Sequence, residues 1–312
     1  MGEVGGVTGD SYSEHRPLLF SIAYRMTGSV GDAEDIVQEA FTRLTQAVRG
    51  GTSVTEPKAY LARTATRLAL NHLRSARVHR ESYHGTWLPE PVLAGPGPEE
   101  RAEMADSLSM AFLVVLESLS PAERAVFLLH EVFGYEHKEI AEITEVSEAN
   151  SRQILARARR HVDEGKPRFE ASRAQREEVA RRFFAAADGG DLDALLKALA
   201  PDVVYYGDGG GKARAVAAPV HGQVRVARLL TGLFRRIRKA GGSVQTLEAN
   251  GQPGAVTYDH DGNVVNVIAL DIAGGQVQAI RCVVNPDKLR HLGRVSELGA
   301  GLASGIRMRS RR

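Results

Sequence analysis

Apolar residues keep a helical spacing through the first half of this chain and then abandon it. Leu18, Leu19, Ile22 and Ala23 recur at intervals of three and four, and so do Ile36, Val37, Ala40, Phe41 and Leu44, the period of amphipathic helices. A third such stretch runs from about Lys58 to Val78, with Tyr60, Leu61, Thr64, Leu68, Leu70 and Leu73 on its apolar side. Beyond residue 240 the apolar residues form short runs instead: Val244–Leu247, Ala255–Tyr258, Val264–Asp271 and Val277–Val284. Asp261-Gly262-Asn263 and Gly274-Gly275 separate the last three as hairpin turns. A chain that changes period in this way cannot close a single layer. The pattern predicts an all-helical front followed by a rear α+β domain, in which three helices (about Glu177–Ala187, Leu192–Leu199 and Val224–Lys239) pack on an antiparallel sheet. The 312 residues suit two or three domains of ordinary size.

Breaks inside the helical front refine this division. Thr27-Gly28-Ser29 ends the first helix, Ser29 or Asp32 caps the second, and Gly50-Gly51 ends it. Gly85, Pro89, Pro91, Gly95, Pro96, Gly97 and Pro98 crowd into one segment, a linker by composition. It carries the only tryptophan, Trp87. Ser120-Pro121-Ala122-Glu123 then restarts a helix with a capping box and proline in the first turn. The expected boundaries are a helical domain over 10–84, a linker over 85–105, a second helical domain over 106–166, an α+β domain over 174–292 and a loose basic tail over 293–312.

Charge and cysteine usage exclude several classes of function. The single cysteine, Cys282, rules out an intrachain disulfide framework, and its place in a strand suits the core. The ten histidines are scattered, so no metal site and no cofactor is expected. No apolar run approaches the length of a membrane span, and no secretory leader is visible. These features point to a cytoplasmic protein without membrane contact. Net charge is only +2, yet five arginines face one glutamate over residues 60–84, and six basic residues face two acids over 149–168. Residues 1–170 as a whole hold 19 Lys and Arg against 25 Asp and Glu, and basic stripes on such an acidic half suit phosphate contacts at chosen places.

Two segments could carry those contacts. Lys138–Ile143, a turn at Glu145-Val146-Ser147, and Glu148–His161 fit a helix-turn-helix. Its second helix presents Glu148, Asn150, Arg152 and Gln153 at the N-terminal end, with Arg157, Arg159 and Arg160 beyond. An ordinary surface hairpin with a solvated basic face fits this segment equally well. On the long third helix, Arg63, Arg67, Asn71, Arg74 and Arg77 share one face, which suits a nucleic-acid backbone or unstacked bases.

Taken in order, these motifs resemble a bacterial sigma factor of the extracytoplasmic-function group. Asp32-Ala33-Glu34-Asp35-Ile36-Val37-Gln38-Glu39-Ala40-Phe41 is similar to that family's core-polymerase-binding helix. Ala59-Tyr60-Leu61 through Asn71-His72-Leu73-Arg74 resembles its promoter −10 helix. Leu119-Ser120-Pro121-Ala122-Glu123-Arg124 through Arg160 resembles its −35-reading domain. The chain departs from relatives at Thr144-Glu145-Val146, where Leu and Gly are usual, and at Ser151, commonly apolar; burying either hydroxyl needs a hydrogen-bond partner.

Trp87-Leu88-Pro89-Glu90-Pro91, Asp208-Gly209-Gly210-Gly211-Lys212 and Asn285-Pro286-Asp287-Lys288-Leu289 resemble the sigma-J-like subgroup. That subgroup carries a fused SnoaL-like domain of the nuclear-transport-factor-2 cone fold. The resemblance implies a factor that binds core RNA polymerase through Asp35, Gln38, Glu39 and Phe41. It implies −10 contacts from Arg67, Asn71 and Arg74, and −35 contacts from Glu148, Asn150, Arg152, Gln153 and Arg157. It also implies that the two cone motifs pack near Trp87–Pro91 and the −10 domain and modulate activity. Read from the residues alone, the glycines of Asp208–Lys212 allow a tight loop that leaves Lys212 free to meet a carboxylate such as Glu90. Two other readings stay open. A cyclase-like or ligand-binding cone would hold a small molecule, with Asp208, His221, Tyr205 and Asp287 as polar candidates. A stand-alone repressor would bind duplex without polymerase.

Overall fold

A computed structural model describes residues 4–81, 83–93, 108–165, 172–216 and 218–297. The far part of the linker and the arginine-rich end from 298 lie outside the described residues. The chain divides into two compact units: Met1–Ser82 with Leu113–Lys166, and Tyr83–Phe112 with Pro167–Arg312.

The first unit is helical. Its elements are α1 (Val4–Thr27), α2 (Val30–Arg49), α3 (Pro57–Glu81), α4 (Met110–Glu117, entering from the other unit), α5 (Pro121–Phe127, continued by one π turn), α6 (His137–Thr144) and α7 (Glu148–Gly165). Ser29 caps α2 by accepting from the Asp32 amide at 3.2 Å. Ala33, Ile36, Val37, Ala40 and Leu44 form the buried stripe of α2, which packs on α3, where Leu61, Ala65 and Ala69 are buried as well. Ser120 and Glu123 close the capping box that starts α5. Buried Arg124 donates from Nη1 to the Met26 carbonyl and to Glu117, both at 2.6 Å.

The second unit holds α8 (Arg173–Gly189), α9 (Leu192–Ala198), β1 (Leu199–Asp208), β2 (Val220–His221), α10 (Gln223–Lys239), β3 (Ser243–Ala249), β4 (Gln252–Tyr258), β5 (Val264–Ala273) and β6 (Gln276–Val283). The sheet order is β2-β1-β6-β5-β4-β3. Phe183, Leu195, Val226, Leu230 and Phe234 of the helices pack on Val203, Tyr205, Ile268, Leu270, Ile280 and Cys282 of the sheet. Cys282 is core, as its strand position suggested.

Three expectations need correction here. The sheet is mixed rather than antiparallel: β1 runs parallel to β6, with Tyr205 opposite Ile280. The partners lie some seventy residues apart, so no turn marks the pairing. Val203–Tyr206 reads as a short strand from its sequence alone, but β1 begins at Leu199 and crosses Pro201, where the register with β6 slips; an exposed strand irregularity is where proline is tolerated. The tail is not loose at its start, because Val264 donates to the Arg294 carbonyl at 2.8 Å and Ser296 donates back to Val264 at 2.9 Å. No helix among the described residues is long and apolar enough to cross a membrane.

Candidate nucleic-acid faces and linker-docking site

The structure exposes the acidic edge of α2. Asp35, Gln38 and Glu39 are exposed, whereas Phe41 is half-buried with its ring 4.7 Å from that of Tyr12. Glu39 pairs with Arg43 one turn on, at 2.8 Å. The burial of Ala33, Ile36, Val37 and Ala40 turns these polar residues outward, as the helical period requires.

The helix-turn-helix forms as α6 and α7. Glu145 ends α6 in the left-handed region, with φ 61°, and Ser147 caps α7 by accepting from the Asn150 amide at 3.2 Å. Ile154, Leu155 and Ala158 are buried, which leaves Glu148, Asn150, Arg152, Gln153 and Arg157 exposed on one side. Both unusual hydroxyls are satisfied. Thr144 donates to the Ile140 carbonyl at 2.6 Å, and fully buried Ser151 sits 2.9 Å from Nδ1 of His137. Burial, then the neighbouring charge of His130, pushes the His137 imidazole below its ordinary 6.5.

The basic face of α3 is divided. Asn71 and Arg74 are exposed. Arg67 instead donates from Nη2 to the Glu142 carbonyl at 2.9 Å and from Nε to the Ile143 carbonyl at 3.1 Å, at the negative end of α6. Its guanidinium also lies 3.1 Å from Glu145, and Arg63 pairs with Glu142 at 3.0 Å. The −10 and −35 candidates are therefore joined within one unit, a relation that sequence spacing does not contain.

In the second unit, the three motifs converge around Lys288. The carboxylate of Asp208, wholly buried at the end of β1, receives Lys288 Nζ at 2.7 Å, the Leu88 amide at 2.8 Å and the Tyr83 hydroxyl. Lys288 also donates to the Leu88 carbonyl, and its ammonium stands 4.4 Å from the Trp87 ring centroid and 4.8 Å from that of Tyr83. Asn285 donates to the Tyr83 hydroxyl at 2.9 Å. Burial, reinforced by Asp208, raises the Tyr83 phenol far above its ordinary range and keeps it a donor. Gly210 must be glycine: its φ is +56°, and a Cβ there would fall 2.1 Å from Asn285. Asn285 caps the 3-10 turn of Pro286–Lys288, which presents Lys288 to the carboxylate.

The linker continues along the sheet edge. Asn250 and Val92 exchange two hydrogen bonds, Leu93 bridges Ala249, and His291 contacts the Pro91 carbonyl at 2.7 Å. The partner expected for Lys212 is corrected: it pairs with Asp287 rather than Glu90, because both sit on the loops that flank the buried pair. Tyr83, Asn250 and His291 were missed. Tyr83 lies two residues before the proline-rich run, and only a motif extended towards the N-terminus would have included it.

The polar candidates for chemistry in the cone do not converge. Asp208 is consumed by the linker, Asp287 by Lys212 and Arg290, and Tyr205 is buried against Cys282. An open cleft of about 620 Å³ lies instead among Asp193, Leu196, Lys197, Gln223 and Gln276. Its two glutamines already donate to backbone carbonyls of Leu196, Lys197 and Leu199.

Comparison with known families agrees with this arrangement. Residues 11–78 match sigma-70 region 2, residues 109–162 match sigma-70 region 4, and residues 180–284 match a SnoaL-like domain. The chain is 39% identical over 285 residues to the ECF RNA polymerase sigma factor SigJ of Mycobacterium tuberculosis, covering 88% of this chain and 90% of that one. It is 32% identical over 294 residues to the probable ECF RNA polymerase sigma factor SigI of the same organism, covering 93% and 97%. The crystal structure of Mycobacterium tuberculosis SigJ superposes with a TM-score of 0.72 at 35% identity, over 90% of this chain and 98% of that one.

Proposed function

The chain belongs to the extracytoplasmic-function family of RNA polymerase sigma factors, proteins that bind core polymerase and begin transcription at promoters, and from that premise we propose that its SnoaL-like cone sets sigma activity by gripping the linker. The cone is fused to the sigma domains in SigJ as well. Initiation by such a factor is binding rather than catalysis. The enzyme and stand-alone repressor readings are not favoured by these relatives.

The observation that carries the proposal is the buried Lys288–Asp208 pair closed over by Tyr83, Trp87 and Leu88. The linker joins α3 to α4, and every linker residue held on the cone shortens the free chain between the −10 and −35 modules. The linker grip thereby limits the separations that those modules can adopt on a promoter. The contacts of Asp35, Gln38, Glu39 and Phe41 with polymerase, of Arg67, Asn71 and Arg74 with the −10 element, and of Glu148, Asn150, Arg152, Gln153 and Arg157 with the −35 element belong to the same reading. So do the domain limits expected from the sequence and a cytoplasmic site of action. Exposure of Asp35, Asn71, Arg74 and the N-terminal end of α7 supports these assignments.

The test is promoter-directed transcription with purified core polymerase, comparing wild type with W87A/D208A/K288M, which loosens the linker without leaving a single charge buried. A severalfold change in transcript yield, with the variant folded and still bound to polymerase, is the expected result. Equal yields reject regulation through the linker while leaving sigma function intact. Loss of transcription on D35A/F41A, together with loss of polymerase binding, is the matching expectation for α2.

A further inference from the structure

Helix α10 packs into the cone through Val226, Ala227, Leu230, Phe234 and Ile237. Its opposite side carries charge of one sign only. Arg225, Arg228, Arg235, Arg236 and Lys239 are all exposed, and no acidic residue occurs anywhere in the helix. At about 100° per residue these five fall within an arc of about 100° centred opposite the buried face, and they extend for about 21 Å along the axis. Among the described residues none of the five has an acidic partner; only Arg238, at the side of the stripe, stands 3.8 Å from Asp188.

A solvated charged face of ordinary kind looks different, and α8 in the same domain shows it. There Arg173 pairs with Glu177, and Arg181 and Arg182 pair with Glu178. On α10 the spacing sets Arg225 against Arg228, Arg235 against Lys239 and Arg236 against Lys239, three pairs of like charge at helical contact distance. Arg225 moreover lies in the first turn, at the positive end of the helix, where a cation is disfavoured. Arg236 and Lys239 lie in the last turn, where the helix dipole favours cations, but the like-charge pairs and Arg225 gain folding nothing.

Gly232 adds a second observation. It lies in the middle of the stripe, within the helix, where glycine is a poor choice. Its φ is not positive, and nothing stands within 4 Å of the place a Cβ would occupy. Neither packing nor backbone conformation demands it. What it leaves is a gap on the basic face through which another backbone can approach closely.

We propose that the outer face of α10 is a contact for the phosphate backbone of duplex DNA, so that the cone itself touches the template without reading its sequence. Four of the five charges are arginines, whose planar guanidinium matches phosphate oxygens in pairs. DNA carries one charge per about 1.7 Å of axis, so a stripe about 21 Å long meets several phosphates at once. A face without base-reading side chains at a helix N-terminus adds affinity uniformly across sequences.

The experiment is fluorescence anisotropy of the full chain with a scrambled duplex of about 30 base pairs across roughly 50–250 mM salt. Wild type is compared with R225Q/R228Q/R235Q/R236Q/K239Q, with the smaller R225Q/R228Q, and with R181Q/R182Q on α8 as a control of equal chemistry. The slope of log affinity against log salt becomes shallower by about 3 in the fivefold variant and by about 1–2 in the double variant. The ratio of promoter to scrambled affinity stays fixed. An unchanged slope in the fivefold variant overturns the proposal, and so does an equal change in the α8 control. Wild-type binding to polyglutamate as tight as to duplex reassigns the stripe to an acidic polypeptide and overturns it as well.

Discussion

Arg67 of α3 and Glu145 at the end of α6 are held 3.1 Å apart, while the same guanidinium caps the carbonyls of Glu142 and Ile143. The residue proposed to face the −10 element is thus occupied by the turn of the −35 module. Arg67 and Glu145 are 41% and 73% exposed in their side chains, so their ion pair and the neighbouring Arg63–Glu142 pair are each worth no more than about 0.5 kcal/mol. E142Q/E145Q is expected to weaken the closed arrangement by about 0.5–1 kcal/mol, a two- to fivefold gain in affinity of the full chain for a single-stranded −10 oligonucleotide. Titration by anisotropy at low salt measures this. Unchanged affinity would show that the carbonyl contacts alone hold Arg67.

Glu145 is also one of two described non-glycine residues with positive φ, at 61°. A side chain in that region costs about 1–2 kcal/mol relative to glycine. Glu145→Gly removes this cost and one exposed ion pair worth about 0.5 kcal/mol. Net stabilisation of the chain by about 0.5–1.5 kcal/mol is expected in urea denaturation. A loss of stability would mean that the Arg67 contact outweighs the backbone strain.

Much of the fold and part of the site were legible in the residues. The helices were readable because each buries a stripe of defined period, as in Ile36, Val37 and Ala40, and because Ser29, Ser120 and Ser147 announce their caps. The convergence of two distant cone motifs on the linker was readable only through family resemblance. Nothing in the local sequence says that Lys288 will meet Asp208 eighty residues away, nor that β1 will lie parallel to β6. The partner of Lys212 went wrong for the same reason: charge specifies that a lysine seeks a carboxylate, but topology chooses Asp287. The closure of Arg67 onto α6 escaped entirely, because it depends on how two separately legible helical modules pack.

His137 gives the helix-turn-helix a pH dependence of definite sign. Burial lowers its pKa below 6.5, so the folded chain prefers the neutral ring, whose Nδ1 stands 2.9 Å from Ser151. The stability that this preference contributes is present above the unfolded value of 6.5 and is lost as pH falls through the lower folded value. Thermal melts from pH 7.5 to pH 5.5 are expected to show a decline beginning near pH 6.5 that is shallower in H137Q. Equal slopes in wild type and H137Q would remove His137 as the cause.

The Lys288–Asp208 pair separates two effects that single substitutions confound. Lys288 and Asp208 are 9% and 0% exposed in their side chains, and removing one partner leaves the other charge buried alone. Asp208→Ala is therefore expected to cost about 3–5 kcal/mol. It also leaves the Leu88 amide and the Tyr83 hydroxyl without their acceptor. Replacing both charges, as D208A/K288M, removes the unpaired ammonium and lets the methionine stem keep its contacts with Trp87 and Tyr83. The double variant should recover part of the loss and remain about 1–3 kcal/mol below wild type, the remaining cost of the orphaned Leu88 amide and Tyr83 hydroxyl. Denaturant unfolding of the two variants measures this recovery. Trypsin cleavage after Arg80, next to the linker, follows the grip itself, and it should accelerate in D208A/K288M despite the recovered stability. Additive destabilisation in the double variant would show that the two side chains act independently and that aromatic packing, not the ion pair, holds the linker on the cone.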